Sequence, residues 1–153
     1  MLFKMVESSI DAYRVQFIKY ELIKGFTEYL IKVIAPGNIS FHLRDRYSSM
    51  RNFQSLMKKN MPIRNFRGLP SFPPKKLFNN TDQTFLNQRL KSLENFFNNF
   101  LSHPEIANSN LVLIYLKEKA ADKQSEDKFT ELVDYLEKKA TKKSEIAENI
   151  KFT

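Results

Sequence analysis

The pattern of apolar and polar positions changes three times along the 153 residues of this chain. The first 47 residues hold three runs rich in aromatic and β-branched side chains, separated by Gly25 and by Pro36-Gly37-Asn38. Such runs, with short turns between them, are typical of an antiparallel sheet with one buried face. We therefore predict three adjacent strands, at residues 12–20, 26–34 and 39–44.

From residue 48 the spacing of the apolar residues becomes that of a helix. Met50, Phe53 and Met57 lie three or four positions apart, which predicts a helix with Ser48 or Ser49 at its N-cap. The stretch from residue 61 to residue 80 then contains four prolines. Because proline lacks the backbone N–H that a helix needs, this stretch is predicted to be a polyproline-type loop packed along the core.

A longer second helix is predicted to begin near Thr81, whose hydroxyl can cap it, and to end at His103-Pro104. Its apolar side is formed by Phe85, Leu86, Leu90, Leu93, Phe97, Phe100 and Leu101. A shorter, nearly all-apolar helix follows at residues 111–116 and completes the core. The predicted fold class is therefore α+β: a three-stranded antiparallel sheet packed against a helical subdomain with a proline-rich loop.

The last part of the chain contains no proline or glycine and few large apolar residues. A helix is predicted to begin at Ser125, and from Phe129 onward its apolar residues recur at helical spacing on one side. We predict a domain at residues 10–118 and a C-terminal amphipathic helical extension at residues 119–153. The helix at residues 125–140 is expected to dock on the domain or on a protein partner.

Positive charge is concentrated in one stretch of the sequence. The whole chain has a net charge of +8, while residues 44–91 hold eleven basic and two acidic residues. A codon drift toward A and T would scatter lysines, but it would not place six of the seven arginines between residues 44 and 89. Guanidinium groups match phosphate oxygens, and Tyr47 beside Arg46 offers a flat apolar wall. The pair Arg46-Tyr47 therefore indicates a pocket for a phosphorylated ring.

The residue types needed for catalysis are sparse. The sequence has no cysteine, two isolated histidines, and three glycines that form no phosphate-binding loop. We therefore predict no catalytic residue, no metal site, no cofactor and no enzymatic activity. The N-terminus lacks the apolar core of a signal peptide, and no stretch reaches the roughly 20 apolar residues of a membrane span. We expect a soluble, cytoplasmic protein.

Four segments, in order, resemble those of the phox-homology (PX) domain family. Arg46-Tyr47-Ser48-Ser49-Met50 resembles the Arg-Tyr-Ser-Asp-Phe segment that ends the third strand of the family. Residues 69–76 resemble its proline-rich loop with the following lysine, and residues 85–96 resemble the helix that carries its second arginine. Residues 101–104, followed by residues 110–116, resemble its closing pattern. The resemblance covers about residues 10–118.

The resemblance implies a phosphoinositide-binding domain, most often for phosphatidylinositol 3-phosphate on endosomal membranes. It implies that Arg46 contacts the 3-phosphate, that Tyr47 stacks on the inositol ring, and that Lys75 meets the 1-phosphate. Arg89 would hydrogen-bond the 4- and 5-hydroxyls, for which its five donors are suited. The sequence departs from the family at Ser48, where many members carry another basic residue. Ser49 and Met50 also replace the usual Asp-Phe.

Membrane contact is expected from apolar residues beside this site. Leu77 and Phe78 follow the proline-rich loop, where family members insert apolar residues into the bilayer, and Phe26 is a second predicted insertion point. Attraction to anionic lipid, roughly 1 kcal/mol each, would be added by Lys58, Lys59, Arg64, Arg67 and Lys76. The resemblance thus implies a sorting-nexin-like peripheral membrane protein that acts in trafficking at endosomes.

Two other functions compete with this interpretation. A basic sheet rich in aromatic residues can stack nucleic-acid bases, but most of the basic residues here are predicted on loops and helix ends, so we predict no nucleic-acid partner. The same fold can instead serve as a protein-interaction module with weak, nonspecific binding to anionic lipid. For single residues, Arg46 can pair with Asp45, and Arg89 can pair with Asp82 or Glu94.

Overall fold

The computed structural model describes residues 12–76 and 80–151, and it contains the predicted three-stranded sheet. Strands β1 (Arg14–Ile23), β2 (Phe26–Ala35) and β3 (Ile39–Arg46) are antiparallel and lie in the order β1-β2-β3. A two-residue turn joins β1 to β2, and both of its residues, Lys24 and Gly25, have positive φ angles of 42° and 91°. Positive φ at both positions suits the right-handed twist of a hairpin.

Five helices follow the sheet in the described part of the chain. They are α1 (Tyr47–Asn60), α2 (Gln83–Leu101), α3 (Pro104–Ala107), α4 (Asn110–Lys119) and α5 (Lys123–Lys151). The short turns Pro36–Asn38 and Ile63–Phe66 are 3-10 helices. The α+β class is confirmed, and no described helix is long and apolar enough to cross a membrane.

Two predicted helix caps are wrong. The backbone of β3 runs directly into α1, so that Arg46 occupies the N-cap position and Ser48 and Ser49 lie inside the first turn. Asp82, not Thr81, caps α2, and its carboxylate accepts a hydrogen bond from the backbone N–H of Thr84 at 2.9 Å. A carboxylate at this end also interacts favourably with the helix dipole.

Helix α2 packs on the sheet and closes part of its exposed edge. The Asn98 side chain accepts from the backbone N–H of Val15 at 2.8 Å and donates to the carbonyl of the same residue at 3.0 Å. The Glu94 carboxylate accepts from the N–H of Phe17 at 2.8 Å. These side chains take the place of a neighbouring strand beside β1. The backbone N–H and C=O groups of an edge strand otherwise remain unpaired. Beneath them, Phe17 and Phe97 stack with ring centroids 6.2 Å apart.

Helix α5 docks on β3 through the first half of its length. The N–H of Ala121 donates to the carbonyl of His42 at 2.9 Å, and the N–H of His42 donates to the Ser125 hydroxyl at 3.0 Å. Phe129 lies edge-on against Phe41, and Leu132 is fully buried. The helix begins at Lys123, two residues before the predicted start. Its apolar face therefore packs on the domain, while residues 141–149 are exposed.

Candidate functional site

A cleft of about 180 Å³ opens where the β1–β2 turn faces the junction of β3 and α1. Its walls are formed by residues 25–27 and by Arg46, Tyr47 and Ser48. Residues 80–81 and Arg89 complete the opening, while Tyr29 and Leu86, which are 0% and 1% exposed, lie at the bottom. The described lining contains two arginines and no carboxylate. Such a cleft attracts an anion.

Arg46 presents its guanidinium to the cleft from the exposed end of β3. Its guanidinium carbon lies 5.3 Å from the centre of the Phe26 ring. Asp45 does not form an ion pair with this guanidinium. Its carboxylate accepts from the backbone N–H of Arg46 at 2.9 Å and pairs with Lys119 at 3.5 Å. The donors of Arg46 are therefore not occupied by a carboxylate in the described part of the chain.

Arg89 approaches the cleft from helix α2 and is only 8% exposed. Its Nη2 donates to the carbonyl of Pro74 at 2.7 Å, and its guanidinium carbon lies 3.8 Å above the Tyr47 ring. The ion pairs with Asp82 or Glu94 that the sequence offered do not form; these carboxylates accept the backbone N–H groups of Thr84 and Phe17. Burial lowers the pKa of Arg89, yet an arginine remains cationic at neutral pH. One bond to Pro74 leaves other donors of its guanidinium for a ligand.

Tyr47 connects the cleft to the proline-rich loop. Its hydroxyl donates to the carbonyl of Pro73 at 2.6 Å, and its ring stacks on Phe72 with centroids 5.4 Å apart. Phe72 in turn packs edge-on against Phe96 in the core at 5.1 Å. The Tyr47 ring thus already contacts Arg89 and Phe72, and these contacts hold the loop in place. Its stacking on an inositol ring stays a prediction.

The other predicted site residues have different positions. Lys75 is exposed next to Pro74 but does not line the cleft, so its contact with a 1-phosphate stays a prediction. Phe26 is 36% exposed and forms part of the cleft wall beside Arg46. Leu77 and Phe78 lie outside the described residues.

Two residues at the bottom of the cleft, Tyr29 and Leu86, were not identified as site residues from the sequence. Both occupy buried positions of regular elements. Leu86 belongs to the predicted apolar side of its helix, and Tyr29 lies within the second predicted strand. Their proximity to Arg46 and Arg89 follows from the packing of α2 against the sheet, which no local pattern encodes. Ser48 also lines the cleft. The described residues contain no cluster of metal-ligating side chains.

Comparisons with known proteins agree with this architecture. A family model described as the PX domain matches residues 33–119. Sorting nexin MVP1 of Saccharomyces cerevisiae is 38% identical over 72 residues, which span 46% of this chain and 14% of that protein. Sorting nexin MVP1 of Kluyveromyces lactis is 34% identical over 101 residues, which span 62% of this chain and 19% of that protein.

A solved structure has a similar fold. The X-ray structure of a designed CISK-PX domain superposes with a TM-score of 0.57 at 25% identity, covering 67% of this chain and 96% of that one. The matched segment thus corresponds to nearly all of a solved domain. The chain spans less than a fifth of the length of the two curated relatives.

Proposed function

This chain belongs to the PX domain family, and we propose that it is a phosphoinositide-binding domain that recognises phosphatidylinositol 3-phosphate on endosomal membranes. The observation that carries the proposal is the cleft between Arg46 and Arg89, which holds two guanidinium groups and no carboxylate among its described lining residues. The matches to sorting nexins support a role in membrane trafficking.

Arg46 is proposed to bind the 3-phosphate. Its guanidinium is exposed and makes no ion pair with Asp45, so binding a phosphate there would not require an existing salt bridge to break. Two opposite unit charges 4 Å apart attract each other by about 4 kcal/mol near a protein surface. The planar guanidinium also matches two phosphate oxygens at once.

The remaining contacts are proposed from the surroundings of the cleft. Arg89 is held by Pro74 and the Tyr47 ring, and its free donors suit ring hydroxyls. The same bond keeps the backbone before Lys75 beside the cleft, which supports a contact of Lys75 with the 1-phosphate. Tyr47 is proposed to cover one side of the inositol ring.

Membrane association is proposed to be peripheral. Phe26 at the rim of the cleft, together with Leu77 and Phe78, would enter the bilayer while the headgroup is bound. Insertion of apolar side chains and binding of a single headgroup act together in such association, because each interaction by itself is weak.

Liposome co-sedimentation tests the proposal. Phosphatidylcholine vesicles carry one phosphoinositide each, and wild type is compared with Arg46→Ala and with Arg14→Ala. Arg14 lies at the opposite end of the sheet, beside Ile34, so its removal makes the same charge change far from the cleft. We expect the wild type to bind phosphatidylinositol 3-phosphate selectively. Arg46→Ala should lower this affinity about 30-fold or more, equivalent to at least about 2 kcal/mol, whereas Arg14→Ala should leave it unchanged. Equal binding to all anionic vesicles, unchanged by Arg46→Ala, would contradict it.

A second candidate function is a protein-interaction module. Leu56 and Ile114 are 46% and 52% exposed on a groove between α1 and α4 that shares no lining residue with the cleft. Exposed apolar groups on one groove favour a protein partner. Under this proposal, the affinity for a protein partner is unchanged by Arg46→Ala and is lowered by Ile114→Ser. The affinity for the lipid headgroup is instead lowered by Arg46→Ala and unchanged by Ile114→Ser.

A further inference from the structure

Tyr29, which lines the cleft, carries a buried hydroxyl. The residue is 0% exposed and lies at the bottom of the cleft, on strand β2. Its hydroxyl is buried and has no hydrogen-bond partner among residues 12–76 and 80–151. Buried hydroxyls in folded proteins almost always have a partner, because an unpaired one loses its hydration without compensation.

Two other tyrosines near this end of the sheet are satisfied. The Tyr47 hydroxyl donates to Pro73, and the Tyr115 hydroxyl donates to the Asp45 carboxylate. Among the described residues, the Tyr29 hydroxyl is the one buried polar atom without a partner that belongs to a residue lining the cleft; the other two, on Gln54 and His103, lie elsewhere. A buried polar group that lines a binding cleft is suited to a partner that arrives with the ligand.

The protonation state of Tyr29 makes it a donor. Burial raises the pKa of Tyr29 to about 12, an effect that the nearby Arg89 cation partly opposes. The hydroxyl consequently keeps its proton at neutral pH. It can donate one hydrogen bond and accept others.

The location of Tyr29 relates it to both arginines. Tyr29 and Arg46 line the same cleft, although the cross-strand partner of Tyr29 is Asp45 and that of Arg46 is Glu28. Arg89 lines the same cleft from α2. Because the hydroxyl is not accessible to solvent, a ligand oxygen that contacts it must displace the side chains that cover it.

We infer that the Tyr29 hydroxyl donates a hydrogen bond to an oxygen of the phosphorylated ring, as a third polar contact beneath Arg46 and Arg89. The inference rests on the proposed function, since it adds a contact within the same cleft. Because the group is neutral, it contributes geometric specificity and leaves the charge of the cleft unchanged.

The substitution Tyr29→Phe removes the hydroxyl and keeps the ring. We expect the affinity for soluble dibutanoyl phosphatidylinositol 3-phosphate, measured by titration calorimetry, to fall about tenfold, equivalent to about 1.4 kcal/mol. The salt dependence of binding should stay that of the wild type, because no charge is removed. Arg46→Ala should reduce the salt dependence. Tyr13→Phe is the matched control, since Tyr13 is 6% exposed and does not line the cleft.

The outcomes separate this inference from the proposed function. Equal affinity of Tyr29→Phe and wild type, with Arg46→Ala still impaired, overturns the inference and leaves the function in place. A wild-type protein that binds no phosphatidylinositol 3-phosphate overturns both. Thermal unfolding without ligand gives a further check: a lower midpoint in Tyr29→Phe than in Tyr13→Phe would mean that the hydroxyl has a partner in the free protein, and would overturn the inference too.

Discussion

A buried carboxylate joins helix α4 to the end of β3, and it makes a sharp prediction about stability. Asp45 is 5% exposed and accepts a hydrogen bond from the Tyr115 hydroxyl. It also accepts from the N–H of Arg46 and pairs with Lys119. Burial, and then the neighbouring Asp45 charge, raise the pKa of Tyr115 well above its usual value, so Tyr115 is the donor at neutral pH. Tyr115→Phe removes this donor.

The expected magnitude follows from the contacts that remain. The Tyr115 ring stacks on Phe53 at 4.2 Å, and phenylalanine keeps that packing, so no large cavity forms. A hydrogen bond to a charged acceptor contributes about 1.5–3 kcal/mol. Because Lys119 and the Arg46 N–H still satisfy the carboxylate in part, we expect a loss of about 2 kcal/mol in the free energy of unfolding. For a chain of this size that corresponds to a fall of about 4–8 °C in the melting temperature.

Urea unfolding followed by circular dichroism measures the effect, and a double-mutant cycle with Asp45→Ala assigns it. Without the carboxylate the Tyr115 hydroxyl has lost its acceptor, so Tyr115→Phe in the Asp45→Ala background should cost nothing or stabilise slightly. If Tyr115→Phe instead lowers the free energy of unfolding by the same amount with and without Asp45, the two substitutions are additive. The hydrogen bond would then not be the source of the stability, and the reasoning would fail.

Three further predictions concern other parts of the molecule. Gly37 has φ +76° and an added Cβ would lie 3.0 Å from the Tyr135 ring, so Gly37→Ala should lower the free energy of unfolding by about 1 kcal/mol more than Gly68→Ala, where φ is similar and the space is open. Equal urea midpoints for Gly37→Ala and Gly68→Ala would contradict this, because they would show that α5 moves away from the added Cβ at no cost in stability. Stability should fall as the pH rises from about 10 toward 12, because the unfolded chain releases tyrosine protons that the folded chain still holds; urea midpoints that stay flat over this range would contradict this. The tyrosines with raised pKa values are Tyr13, Tyr29 and Tyr115. Arg89→Lys keeps the charge but loses the planar fork, so calorimetry should show roughly tenfold weaker headgroup binding, whereas unchanged affinity would remove Arg89 from the site.

Most of the fold was predictable because its signals are local. The strands lie within three residues of their predicted ends, since β-branched runs and the turns at residues 24–25 and 36–38 are readable one segment at a time. The helix caps were not. Ser48 and Ser49 are good capping residues, but β3 continues to Arg46 and leaves no room for a cap at either serine. The end of a strand depends on its pairing with β2, which is a tertiary property.

The site was only partly predictable. Arg46 and Arg89 were identified from residue type and family resemblance, and the structure brings both to one cleft. The partner of Arg89 was not predicted, because sequence neighbours suggested a carboxylate while the folded loop supplies the carbonyl of Pro74. Tyr29 was missed because its position in β2 has the same pattern as any core residue.

The sequence by itself determined the three strands, the helical second half, the concentration of positive charge and the residue types suited to a phosphate. Each of these is carried by residues close together in the chain, through backbone preference, periodicity or composition. Only the tertiary structure decided that Tyr29, Arg46 and Arg89 line one cleft while Lys75 lies outside it. The physical reason is that a cleft is formed by segments distant in sequence, and their separation is set by the packing of the sheet against α2 and the proline-rich loop.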